Sequence, residues 1–231
     1  MLPDNTIVTN SSVVIFAGHF GSGKTENAIN YSVHLRAQQY DVKLIDLDIV
    51  NPYFRSREAK DYLESQGIQT ILPPKELMQV DFPVIVPQVK GALEQPRGKV
   101  IVDLGGDPSG ALPIGGYAGT VPADDYDMWA VINMYRPQTK GKEEIVEMME
   151  GIQKTTRLNF TGIVNNTHMK WETKWEDILA GLEVCGEVSY HFGIPIVYTA
   201  LPNHLQIDGK QEKKLGKILK LSIHLKTPWE Q

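Results

Sequence analysis

Short runs of Val, Ile and Leu alternate along the chain with longer stretches whose apolar residues recur every three to four positions. Continuous apolar runs suit strands buried on both faces and the longer spacing suits amphipathic helices, so the alternation predicts a parallel sheet with crossover helices. The strands fall at Val13 to Phe16, Val42 to Leu47, Ile68 to Leu72, Val100 to Leu104, Met128 to Ile132, Phe160 to Val164 and Ile194 to Thr199. Helices are predicted near 24–39, 55–66, 88–95, 138–155, 173–190 and 208–225, with Gly67 and Gly193 as stop signals just past two of them. The pattern breaks at 105–123, where six glycines and three prolines crowd nineteen residues after the fourth strand. A loop of that length inside a compact domain is usually functional, so it is read as a switch or lid and not as a domain linker.

Composition adds limits. The 231 residues are 42% hydrophobic and 22% charged, the balance of a globular chain, and one generous domain over 1–231 is the expectation. Cys185 is the single cysteine, which excludes a disulfide-stapled scaffold and a multi-cysteine metal or iron–sulfur site within the chain. No apolar run reaches the length of a transmembrane helix, and no basic residue precedes Lys24, so a signal peptide is not expected and the cytoplasm is the expected location. A net charge of −5 argues against broad nonspecific nucleic-acid binding.

The chemistry begins after the first strand. Gly18-His19-Phe20-Gly21-Ser22-Gly23-Lys24-Thr25 satisfies G-x-x-x-x-G-K-[ST] between a predicted strand and a predicted helix. Glycines let such a loop curl so that backbone N–H groups, at a helix N-terminus, point at phosphate oxygens. Gly18, Gly21, Ser22 and Gly23 form the cradle, Lys24 reaches the β- and γ-phosphates, and Thr25 is placed to ligate the Mg²⁺ that accompanies them. A dinucleotide fingerprint starting at Gly21 would need glycine where Glu26 stands, so a nicotinamide or flavin enzyme is disfavoured. The expected fold is therefore α/β of the P-loop NTPase type, a predominantly parallel sheet with helices on both faces.

Ligands in open α/β sheets sit at the carboxyl ends of strands, and two predicted strands end in acids. The second closes Asp46-Leu47-Asp48, beside the cradle if the first and second strands are neighbours. The fourth closes Asp103-Leu104-Gly105-Gly106, where the aspartate suits the water shell of Mg²⁺ and Gly106 suits an N–H to the γ-phosphate. Taken alone, an aspartate at a strand end also caps the following turn.

These three motifs together resemble the deviant-Walker family of P-loop ATPases that includes MinD, ParA, the Mrp-type proteins and the nitrogenase iron protein, over nearly the whole chain. The resemblance implies that Asp48 positions the attacking water and that Asp46 lies near Mg²⁺. Phe160 to Thr167 resembles the Mrp-type strand whose terminal asparagine holds adenine, which maps to Asn166, and Pro202 after the last strand resembles the residue packing on the base. ATP or ADP with Mg²⁺, slow hydrolysis, an unidentified protein partner and a nucleotide-dependent homodimer are what the family implies. Two departures limit the carry-over. The family lysine that follows the first glycine and crosses a dimer interface is His19 here, and the cysteine pair of the cluster-carrying scaffolds is absent, so no iron–sulfur cluster is expected.

Other features keep two readings each. Asn51 to Arg57 occupies the family's switch I, where Arg55 or Arg57 suits transition-state charge or an acidic partner, and equally a solvated helix start. Leu215, Ile218, Leu219, Ser222 and Leu225 share one face of the predicted C-terminal helix, with Lys213, Lys217 and Lys220 opposite. A last core helix is favoured there over membrane contact. The reading is an ATP-dependent switch. Its rivals are a small-molecule kinase or synthetase of the dethiobiotin synthetase type, and a nucleotide-gated binding module without turnover.

Overall fold

The computed structural model describes residues 7–48, 59–72 and 87–225. In chain order its elements are β1 (Val13–Ala17), α1 (Lys24–Ala37), β2 (Val42–Asp46), α2 (Lys60–Ser65), β3 (Gln69–Ile71), α3 (Pro87–Glu94), β4 (Lys99–Asp103), α4 (Leu112–Gly116), β5 (Tyr126–Ile132), α5 (Lys142–Thr156), β6 (Gly162–Asn165), α6 (Trp175–Phe192), β7 (Ile196–Pro202), α7 (Gly209–Leu215) and β8 (Ile218–Leu221). The strands form one eight-stranded sheet in the order β3-β2-β4-β1-β5-β6-β7-β8, and every pair is parallel.

All five residues of β1 and of β4 are buried, because helices cover both faces of the sheet and leave no solvated side to alternate toward. Val13, Ile15 and Ala17 of β1 point to the side packed by Leu93 of α3, Ile114 of α4, Met149 of α5 and Cys185 of α6. Val14 and Phe16 point the other way, to Ile29 of α1 and Leu63 of α2. On that side Phe16, Tyr31, Trp129 and Tyr198 pack ring against ring, and the Tyr198 hydroxyl donates to Asn27 Oδ1 at 3.0 Å.

Two expectations about the sheet and its connections change. β1 and β2 are not neighbours, because β4 lies between them. Asp46 and Asp103 therefore close adjacent strands in register, with Asp103 the nearer to β1. The 105–123 segment is not an open loop: it contains α4, and Ala111, Ile114, Tyr117 and Val121 enter the core.

The largest correction is at the C-terminal end. The predicted helix 208–225 stops as α7 at Leu215, and Gly216, at φ 71° and ψ −132°, turns the chain into β8. That backbone region is one a side chain disfavours, so glycine is the stop signal. The amphipathic face does not form: Leu215 and Ile218 pack in a small cluster with Ile178 and Leu201, while Leu219 and Leu225 join the core beside α1. The membrane-contact reading loses its helix. No helix among the described residues is long and apolar enough to cross a membrane. Arg55 and Arg57 lie outside the described residues.

Candidate functional site

The order of strands decides where a ligand sits. Successive connections run from β1 toward β3 on one side and from β5 toward β8 on the other, so crevices open at the carboxyl ends of β4, β1 and β5. The glycine-rich loop 18–23 leaves β1 there and ends on Lys24, the first residue of α1.

Gly23 caps α1 at φ 92°, and a Cβ on it would lie 2.2 Å from Asn166 Nδ2. Both facts require glycine: the left-handed backbone and the close side chain each exclude a methyl group. Asn166 itself, directly after β6, donates from Nδ2 to Ser22 O at 2.6 Å. Gly106 follows β4 so closely that a Cβ there would lie 2.7 Å from Phe20 N and 3.0 Å from Lys24 Nζ. Gly23, Gly106 and Asn166 are therefore packed together at the loop that carries Gly18, Gly21, Ser22 and Lys24.

Lys24 is buried, and its Nζ donates to His19 O at 3.3 Å, which also accepts from Ser22 N at 3.1 Å. Burial pushes the ammonium below the ordinary lysine value, against the opposite pull of Asp103, Asp48 and Asp107. Asp46 and Asp103 are fully buried, Asp48 and Thr25 nearly so, and Asp48 N donates to Asp46 Oδ1 at 3.0 Å. Although β2 is one strand removed, Asp48 still lies within electrostatic reach of Lys24. Pro202 is placed differently from expectation. It is the last residue of β7, buried and in register with Leu221 of β8, so β7 is not the last strand.

Two buried polar atoms at the loop, Ser22 Oγ and Asn166 Oδ1, have no hydrogen-bond partner among the described residues. Such atoms destabilise a fold unless a ligand or water answers them. The donor set also suits a hard cation: a threonine hydroxyl and two aspartates at adjacent strand ends are the oxygen ligands Mg²⁺ takes alongside phosphate.

One residue near the loop was not singled out from sequence. Arg136, on the turn after β5, donates from Nε to Gly21 O at 2.7 Å. It belongs to no motif, and its contact depends on β5 lying beside β1.

Among solved structures the chain is similar to the cell division protein FtsY from Thermotoga maritima, at 17% identity and TM-score 0.60 over 84% of this chain and 64% of that one. It is also similar to the 54 kDa signal recognition particle protein from Aeropyrum pernix in complex with GDP, at 18% identity and TM-score 0.57 over 85% and 43% of the two chains. A nucleotide-binding protein from Archaeoglobus fulgidus in complex with ADP matches at 17% identity and TM-score 0.50 over 88% and 84%. The fold is that of the P-loop NTPases. The chain spans less than two thirds of the first two proteins, and at these identities the likeness extends to fold alone. No protein-family profile and no curated protein matches the sequence. Within the P-loop fold one similar chain holds GDP and another ADP, so the choice of base rests on this chain's own residues.

Proposed function

We propose that this chain binds ATP with Mg²⁺, hydrolyses it slowly, and uses the bound nucleotide to set the surface it offers a protein partner in the cytoplasm, in the manner of the MinD/ParA-like ATPases. The observation that carries this is the loop itself: Lys24 is buried at the head of α1 within electrostatic reach of Asp48 and Asp103, beside unanswered polar atoms on Ser22 and Asn166.

Each residue then has a task. The loop N–H groups from Gly18 to Thr25 and the Lys24 ammonium bind the β- and γ-phosphates, for which Nζ must leave His19 O. Thr25, Asp103 and Asp46 supply the oxygen donors for Mg²⁺, whose charge offsets that of the phosphates when it is bound. Gly106 offers its N–H to the terminal phosphate, so its loop moves with the phosphate's arrival and departure. Asp48 orients the attacking water, its own position fixed by the backbone bond to Asp46.

Asn166 supports adenine over guanine. Its Nδ2 is committed to Ser22 O, which leaves Oδ1 to accept from the exocyclic amine of adenine, a group guanine lacks at that edge. The buried Pro202 borders the strand-end row that carries Asn166. The partner surface is supported by the exposed apolar side chain of Phe20 on the P-loop, at 52%.

Calorimetry on folded variants tests the reading. Lys24→Ala is expected to abolish ATP·Mg²⁺ binding, Asp48→Ala to bind ATP but lose hydrolysis, and ATP to displace GTP in competition. Unchanged affinity in Lys24→Ala would sink the nucleotide assignment, and equal affinity for GTP would sink the role of Asn166.

A further inference from the structure

The turn after β5 delivers a second basic side chain to the P-loop. Asn133 and Thr139, both buried, tie that turn together. Tyr135 N donates to Asn133 Oδ1 at 3.1 Å, Arg136 N to Asn133 O at 3.1 Å, Thr139 N to Arg136 O at 3.0 Å, and Thr139 Oγ1 to Asn133 O at 2.7 Å. Asn133 Nδ2 anchors the whole to His168 O at 3.0 Å. Arg136 is the exposed tip of a turn whose conformation is fixed from beneath.

From that tip the guanidinium lies against the loop. A Cβ on Gly21 would sit 3.2 Å from Nε and 3.7 Å from Cζ, so the missing side chain at Gly21 makes the approach. Nε spends its one N–H on Gly21 O. A guanidinium carries five N–H donors, and among the described residues the four on the terminal nitrogens make no hydrogen bond or ion pair. What remains is a planar fork beside Gly21 of the loop, the geometry that binds phosphate oxygens in pairs.

Charge makes the same demand. Lys24 and Arg136 both hydrogen-bond carbonyls of the P-loop, as does the His19 ring at Phe20 O. Lys24 lies within electrostatic reach of Asp48, Asp103 and Asp107, which offset part of its charge. We infer that Arg136 is a second phosphate-binding cation of this site, supplied in cis, which holds the polyphosphate with its terminal nitrogens while Nε keeps the loop in shape. This rests on the nucleotide-binding reading above.

Calorimetry with ATP, inorganic tripolyphosphate and adenosine, each with Mg²⁺, tests it on wild type, Arg136→Ala, Arg136→Lys and Lys24→Ala. Arg136→Ala is expected to weaken ATP and tripolyphosphate by the same factor, about 10- to 100-fold, with adenosine unaffected and the melting temperature preserved because the residue is exposed. Arg136→Lys is expected to recover little, since lysine lacks both the fork and the Nε donor. Full affinity for both phosphates in Arg136→Ala, while Lys24→Ala loses them, would overturn the inference and leave the nucleotide site standing. A loss for ATP with tripolyphosphate unchanged would also overturn it, by moving the contact to ribose or base. Complete rescue by lysine would remove the role of the fork. If wild type bound neither phosphate, the nucleotide reading itself would fall, and this inference with it.

Discussion

Glu26 follows Thr25 on α1, and its carboxylate meets the backbone amides after β8. Its Oε1 accepts from Leu225 N at 2.8 Å and from His224 N at 3.0 Å. Burial pushes the carboxyl up to about 7, against the opposing effect of those two N–H groups and of Lys170. His168 is shifted in the other direction. Burial first, then the charges of Arg136, Lys170 and His204, hold it down to about 4, and its Nδ1 accepts from Lys170 N, which needs the neutral ring. The signs oppose each other. Between its usual 4.5 and about 7 the folded state holds the Glu26 proton more tightly than the unfolded chain, so stability is lost as pH rises through that window. Between 6.5 and about 4 the unfolded chain holds the His168 proton more tightly, so stability is lost as pH falls. Glu26→Gln is therefore expected to leave a stability that climbs with pH from 4 to 6.5, changing the profile by on the order of 2 kcal/mol, and His168→Asn to leave one that declines toward pH 7. Urea denaturation at stepped pH reads both, and a Glu26→Gln profile parallel to wild type would refute the assignment. At this scale the sequence discloses spacing but not company. Lys24, Thr25 and Asp103 are legible as a motif because their partners are a fixed number of residues away. Arg136 and Glu26 are not, because their partners lie 115 and 199 residues distant.

Elements carry the same lesson with a different cause. The strands are legible because burial on both faces writes a continuous apolar run, as in the five residues of β4. β8 is missed because Leu215, Ile218, Leu219 and Leu225 are spaced as a helix would space them and are buried as a strand and its flanks bury them. Gly216 is the local sign that separates the two cases. Two glycines of α6 show how the packing of one helix governs the site. A Cβ on Gly181 would lie 2.2 Å from Thr167 Oγ1 and 2.6 Å from Asn165 Oδ1, the residues on either side of Asn166. A Cβ on Gly186, one and a half turns later, meets nothing within 4 Å. Gly181→Ala is expected to cost about 1–3 kcal/mol by overpacking and to weaken ATP by displacing Asn166, whereas Gly186→Ala should stabilise by about 0.5–1 kcal/mol through helix propensity. Chemical denaturation and calorimetry on the pair decide this. Equal stability of the two variants would show that α6 does not press on the strand end.

Across the whole molecule, α1 is the element on which distant parts converge. Its first turn ends the P-loop, its inner face packs on the sheet, and its polar residues hold the strand exit after β8. Asn30 pairs with Ser222 in both directions, Nδ2 to Ser222 O and Ser222 N to Asn30 Oδ1, each at 2.9 Å, so one side chain imitates a strand neighbour. Glu26 takes the amides of His224 and Leu225, and Tyr62 of α2 lays its ring against His224. The tail at 222–225 is thereby fastened to the helix whose head binds phosphate in the proposed function. Opening that helix must release the tail amides, and a ligand that stabilises the helix must lower the population in which they are open. Asn30→Ala strips the backbone N–H and C=O of Ser222 of their Asn30 bonds and is expected to cost about 2 kcal/mol while speeding hydrogen exchange at Ser222, His224 and Leu225. In wild type, ATP·Mg²⁺ at saturation should slow exchange at the same three amides, and Asn30→Ala should diminish that slowing while leaving ATP affinity within a few-fold. Tail amides that exchange at one rate with and without ATP, in a protein that demonstrably binds it, would mean that the cradle and the C-terminal strand open independently.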